Sequence, residues 1–227
     1  MPKCLAVPTK VLEEMPLWQT LNRVEGVISA AVILSSPEIQ EILEVIKNNG
    51  VFLERKGPEG IEDNPEWQQI ILYGVVFQKN KFFLYQRGKT TAYKEERLRA
   101  KFAVGVGGHI DPSDSASDLI FSLRREIEEE IRLSKNGAEI PVDGNFPAIK
   151  IIGLIKDEKD EVGKVHLGLV CLIELFDLEV EVATKNKENI WGQMVNLEEY
   201  RKITSIPQYV PEGWTKLVVE NFLLTTF

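Results

Sequence analysis

Glu126, Glu129 and Glu130 stand at i, i+3 and i+4 in the run Arg125-Glu-Ile-Glu-Glu-Glu130. On a helix turning by about 100° per residue they share one flank, inside an arc of roughly 100°, while Glu128 points the other way. Carboxylates this close repel one another by about 0.2–0.5 kcal/mol per pair unless something neutralises them. A hard divalent cation, Mg²⁺ or Mn²⁺, would do so, because it takes carboxylate oxygens and keeps waters for a phosphate substrate. Opposite charges at i, i+4 would also do so: Arg124 with Glu128, Arg125 with Glu129 and Glu128 with Arg132, leaving only a solvated acidic face. Upstream stands Gly107-Gly108-His109-Ile110. Glycines at that point let backbone approach a ligand or metal closely, and they equally suit a tight turn out of a strand.

These residues need a helix and a set of strands to position them. Across residues 118–133, Ile120, Leu123, Ile127 and Ile131 lie within roughly 40° of a common direction and form the seam that docks the helix. Residues 70–77 and 82–85 are apolar runs around the polar turn 78–81, a hairpin pattern. Residues 102–106 make a short strand into the glycine pair, and 148–155 and 165–175 are strands around the acidic turn 157–163. A last strand is expected at 190–195, with helices at 196–202 and 214–224. Strands, one helix, strands and a final helix give an α/β (α+β) fold, a mixed sheet with helices on its faces. Before this, Ser36-Pro37-Glu38 with Ile39, Ile42, Leu43, Val45 and Ile46, closed by Asn49-Gly50, carries helix signals: Ser36 as N-cap, proline at N1 and glycine at C′. The turn-rich stretch 56–65 sets a boundary, giving an N-terminal extension at 1–66 and a main domain at 67–227. Residues 1–66 suit a cap on the site, a homodimer interface or an extension of the core.

The 227 residues are 44% hydrophobic and 27% charged, an ordinary globular balance. A formal net charge of −8 argues against bulk nucleic acid or anionic membrane as partner. No run of about 18 apolar residues occurs, and the N-terminus lacks a signal-peptide core, so a cytoplasmic location is expected. Cys4 and Cys171 stand far apart without metal-ligand spacing and read as idle thiols. Between residues 87 and 101 lie Arg87, Lys89, Lys94, Arg97, Arg99 and Lys101 against Glu95 and Glu96. Such a segment could hold phosphates, Arg87 first because it ends a strand, or it could be a solvated loop. His109 could hydrogen-bond a substrate or serve the structure, whereas His166, inside an apolar strand, reads as a satisfied core histidine.

Gly108 followed by Arg125-Glu126-Ile127-Glu128-Glu129-Glu130 and Leu133 resembles the Nudix box, and the strand and helix order over about residues 69–204 resembles the Nudix fold, including the strand of Trp191 and the helix start at residues 197–200. The box departs from the family pattern in two places. Ser117 stands where an earlier glutamate is usual, with Asp111, Asp114 and Asp118 as carboxylates available instead, and Arg132 stands where a glycine is usual. The resemblance implies a metal-dependent pyrophosphohydrolase that cleaves a diphosphate linkage in a nucleoside diphosphate derivative or similar small phosphate-containing compound. It implies Glu126, Glu129, Glu130 and the backbone of Gly108 as metal ligands for Mg²⁺ or Mn²⁺, and Glu126, Glu129 and Arg125 as the catalytic set, with Arg125 orienting Glu126. Arg87, Lys89, Gly107 and His109 are the substrate-binding candidates. Glu188, Glu158, Asp160 and Glu161 compete for the role of base. The departures also admit a catalytically silent nucleotide-binding module of the same fold.

Overall fold

The computed structural model describes residues 2–88, 100–114, 119–143, 147–159, 161–183 and 189–223. In chain order, β1 (Lys3–Pro8), α1 (Thr9–Glu13), α2 (Pro16–Thr20), β2 (Arg23–Val24), β3 (Val27–Ile33), α3 (Ser36–Asn49) and β4 (Val51–Glu54) come first. There follow β5 (Trp67–Gln78), β6 (Lys81–Arg87), β7 (Phe102–Ala103), β8 (Gly105–Val106), α4 (Leu119–Glu130), β9 (Ile131–Lys135) and β10 (Ala138–Glu139). The chain ends with β11 (Ala148–Asp157), α5 (Glu161–Lys164), β12 (His166–Glu174), β13 (Glu179–Val182), β14 (Asn189–Val195), α6 (Leu197–Thr204) and α7 (Gly213–Val218), which passes into a π-helical turn at Val219–Leu223. The class is mixed α+β, as expected. Two compact units result, one of Met1–Tyr73, Gly108–Ser122 and Ile151–Val170, the other of Gly74–Gly107, Leu123–Lys150 and Cys171–Phe227.

In the first unit β1 pairs antiparallel with β4 and with β5, placing Ala6 opposite both Val51 and Gln69. β3 pairs antiparallel with β11, Ala31 opposite Ile155, and with the short β2. The sequence reading makes residues 1–66 a helix-bearing segment and names no strand in it. The four strands found there escape a pattern reading because β1 and β3 are buried on both faces, so apolar residues run on instead of alternating. Helix α3 forms where expected, but its cap is Ser35 and not Ser36: the Glu38 carboxylate accepts from Ser35 N at 2.7 Å and Ser35 Oγ at 2.6 Å. Gly50 is not the left-handed stop expected of it; φ is −72°, and a Cβ there would meet Ile46 O at 2.5 Å and Leu5 Cδ1 at 2.9 Å. Close approach, not handedness, requires the glycine.

The carbonyls of the four-residue α5 gather three buried polar side chains of this unit, Gln68, Lys156 and His166. A helix leaves its last carbonyls without internal donors, and positive groups are favoured at that end. Lys156, wholly buried, donates from Nζ to Gly163 O at 2.8 Å, Lys164 O at 2.9 Å and Gln68 Oε1 at 2.7 Å. Burial pushes its pKa down to about 8, against the opposing pull of the Glu158 carboxylate 3.6 Å away. Val162 O, from the same turn, lies 2.5 Å from His166 Nδ1. His166 Nε2 in turn lies 3.0 Å from His109 Nε2, which is also 2.9 Å from Gln69 Oε1. His166 is therefore the satisfied core histidine read from the sequence.

In the second unit the strand order is β14-β6-β5, with β7 on β6 and β8 on β5, beside a separate sheet β10-β9-β13. Helix α4 docks on β5 at Gly74, where a Cβ would meet Ile173 Cδ1 at 2.6 Å and Leu123 Cδ1 at 3.0 Å. Leu123 and Ile127 are fully buried, as the seam requires. The helix was expected to run to residue 133 but ends at Glu130. From there Ile131 and Leu133 point inward and Arg132 outward in β9, which pairs antiparallel with β13. Alternation with a partner strand overrides the helical reading of these residues. Arg132 consequently pairs with Glu181 across the two strands.

Two outcomes follow from the polar core of the first unit. Replacing Lys156 with Met removes the buried donor shared by Gly163 O, Lys164 O and Gln68 Oε1, and should cost about 3 kcal/mol, roughly 6–12 °C in Tm. Burial lowers the His166 pKa from 6.5 to about 4, although the Val162 carbonyl opposes it. The folded chain therefore holds this ring neutral while the unfolded chain protonates it below pH 6.5. Its contribution is complete above pH 6.5 and is lost as pH falls toward 4, about 2 kcal/mol at pH 5. Thermal unfolding of wild type and His166→Phe between pH 7.5 and 4.5 checks this: the wild type should lose Tm more steeply on acidification.

Candidate functional site

The acidic flank of α4 is assembled by one helical turn. Arg125 Nη1 donates to Glu126 Oε1 at 2.8 Å and lies 3.5 Å from Glu129 Oε1. The i, i+4 pair expected at 125 and 129 is present, and the guanidinium sits between two of the three carboxylates expected to bind metal. Glu129 is the open member, its side chain 55% exposed, whereas Glu130, the last helical residue, is buried. Glu128 is exposed, as its angle requires. Arg124 Nη1 donates to Pro147 O at 3.1 Å.

The donors fit a hard cation in kind, being carboxylates on adjoining positions with no thiol or imidazole among them. Among the described residues, no three His, Cys, Asp or Glu side chains converge on one metal position. The structure thus supplies the ligand types on one flank, with Arg125 in the place where positive charge is needed.

Strand β8 delivers the glycine pair. Gly107 has φ +140°, a backbone conformation that L side chains rarely adopt, so the chain leaves the strand by a path that requires glycine. Gly108 O accepts from Leu72 N at 3.2 Å, and His109 bridges to Ile71. The His109 ring is turned to Gln69 and His166, and its carbonyl accepts from Ser122 Oγ at 3.3 Å. Asp111 N donates to Asp114 Oδ2 at 2.9 Å, and Asp114 is buried.

Arg87 is buried at the end of β6, its Nε donating to Glu212 Oε1 and its guanidinium 5.4 Å from the Tyr85 ring centre. Glu212, itself buried, precedes α7. Of the other basic candidates of this segment, Lys89, Lys94, Arg97 and Arg99 lie outside the described residues, as do Ser117, Asp118, Asp160 and Glu188, while Lys101 is described and half-buried. Of the remaining candidates for the base, Glu158 accepts from Ile28 N at 2.9 Å and Glu161 pairs with Lys164 at 2.7 Å. Sequence reasoning missed Glu212 and Gln69, which stand 125 and 40 positions from their partners Arg87 and His109. No local spacing signals such pairs.

No helix among the described residues is long and apolar enough to cross a membrane. No family model matches the chain. Protein YmaB of Bacillus subtilis (strain 168) is 30% identical over 163 residues, covering 70% of this chain and 73% of that protein. Among solved structures, Tm1382, assigned to the Nudix hydrolases, superposes with a TM-score of 0.69 over 99% of this chain and 100% of its own, at 20% identity. A Nudix hydrolase from Alicyclobacillus acidocaldarius gives 0.51 over 70% of this chain and 91% of its own, at 15% identity. With the box residues on α4 and the glycine turn before it, this chain belongs to the family of protein YmaB and has the Nudix fold.

Proposed function

We propose that the protein is a metal-dependent hydrolase of a diphosphate linkage in a nucleoside diphosphate derivative or a related small organic pyrophosphate. The observation that carries this reading is the arrangement of Arg125 against Glu126 and Glu129 on one turn of α4. Glu126, Glu129 and Glu130 would hold Mg²⁺ or Mn²⁺, with backbone near Gly108. When bound, the cation supplies charge neutralisation of the diphosphate and a more acidic water. Arg125 Nη1 holds Glu126 Oε1 and so fixes the carboxylate's direction before any ligand arrives. A carboxylate takes the proton from the attacking water. Arg87, Lys89 and the Gly107 backbone are the proposed contacts to the phosphates, and the ring of His109 serves the loop instead.

A catalytically silent nucleotide-binding module is the second reading. It is favoured by Arg132, which stands where the box usually has a glycine and lies in β9 paired with Glu181.

Product release should be measured from nucleotide sugars, dinucleoside polyphosphates, NADH, ADP-ribose and nucleoside triphosphates with Mg²⁺, Mn²⁺ or EDTA. EDTA-sensitive turnover of one class is expected. Glu129→Gln should then lower kcat by about 100-fold or more, with Tm within about 2 °C because the side chain is exposed. An unchanged rate removes Glu129 from the mechanism. No turnover of any compound, with Tm still rising in Mg²⁺, establishes the silent module.

A further inference from the structure

The segment after the glycine pair is tied down along its length, entirely within the first unit. Gly108 O accepts from Leu72 N, His109 O from Ser122 Oγ, and Ile110 O from Leu5 N at 3.0 Å, while Asp111 N and Asp114 Oδ2 close the turn. Only one side chain of Gly108–Ile110 can add to these backbone bonds, and it is the ring of His109. The partners of that ring determine which nitrogen carries each proton. Gln69 Nε2 donates to Ile61 O at 3.3 Å and Gln69 Oε1 accepts from Cys4 Sγ at 3.4 Å, so the amide is oriented and its oxygen faces His109. An amide oxygen only accepts; His109 Nε2 therefore bears hydrogen. Val162 O also only accepts, so His166 Nδ1 bears hydrogen and His166 Nε2 presents a lone pair. That lone pair stands 3.0 Å from the His109 N–H. The one Nε2–H of His109 is thus shared between an acceptor from β5 and an acceptor from β12.

We propose that His166 is a positioning residue for the reaction: acting through His109, it fixes the backbone of Gly108 and His109 against Ser122 in the first turn of the helix that carries the glutamates. Its catalytic consequence rests on the hydrolase reading above; its geometric content does not. Partners of this kind, which orient a metal-site element without touching the metal, typically alter affinity or activity by about 10–100-fold when removed.

The test compares His166→Phe, His166→Gln, His109→Phe and the double variant His109→Phe/His166→Phe. Phe keeps the volume at 166 and removes the acceptor; Gln restores an acceptor through its Oε1. His166→Phe should raise the Mg²⁺ half-saturation and lower kcat by about tenfold or more, leaving KM for the organic substrate within about twofold. His166→Gln should recover most of the loss. In the His109→Phe background the second substitution should change either quantity by less than about twofold, since residue 166 then has nothing to act through. Amide hydrogen exchange should accelerate about tenfold or more at residues 108–110 in His166→Phe, without the same change along β11. Losses that multiply in the double variant, or a lower Tm with exchange at 108–110 unaltered, overturn the proposal. Should His166→Phe not fold, exchange in His166→Gln and His109→Phe decides: protection kept by the first and lost by the second is expected, and equal protection overturns it. A wild type without turnover refutes the hydrolase reading alone, and the exchange comparison still decides the role of His166.

Discussion

Two ring nitrogens 3.0 Å apart can coexist in a buried place only if one carries a proton and the other a lone pair. The carbonyl of Val162 makes that choice by taking the Nδ1 proton of His166, which leaves Nε2 of that ring as an acceptor. The same short helix takes the ammonium of Lys156 on its next two carbonyls, and Gln68 Nε2 also donates to Lys164 O at 3.0 Å. A four-residue helix thus satisfies side chains from β5, β11 and β12, and each of them would be costly to bury alone. Because the groups supply one another's hydrogen bonds, the loop after the glycine pair is linked through His109 to β5, β12 and α5.

The second unit solves a different problem, which is to bring an acidic helix onto a strand. Gly74 gives α4 the room to approach, and Leu123 and Ile127 bury its seam. One flank then carries Glu126, Glu129 and Glu130 with Arg125 among them. Charge repulsion on that flank is relieved within the chain by Arg125, and a divalent cation would relieve it further. Arg87 shows the other way of placing a cation: buried, and matched by the buried Glu212. Removing Arg87 would leave the buried Glu212 carboxylate without this partner, so the end of β6 and the start of α7 constrain one another.

The relations along a single helix are legible in the sequence. Glu126, Glu129, Glu130 and Arg125 are neighbours in sequence, so the helical period alone brings them together, and the seam at Leu123 and Ile127 is set by the same period. The requirement for glycine at residue 107 was legible as a type, though its φ of +140° was not. The N-terminal strands were not legible because burial on both faces erases alternation, and the end of α4 was not because Ile131 and Leu133 suit either a helical seam or a strand face.

Tertiary structure alone decided which distant partner each polar side chain met. His109 finds Gln69 and His166 across 40 and 57 positions, Lys156 finds Gln68 across 88, and Arg87 finds Glu212 across 125. By itself the sequence determined the fold class, the acidic helix and the glycine turn, all of which follow from local periodicity and side-chain type. It could not determine that His109 would meet Gln69 and His166, nor that Arg87 would meet Glu212. Those outcomes depend on which strands become neighbours and on the cost of leaving a buried donor or charge unpaired.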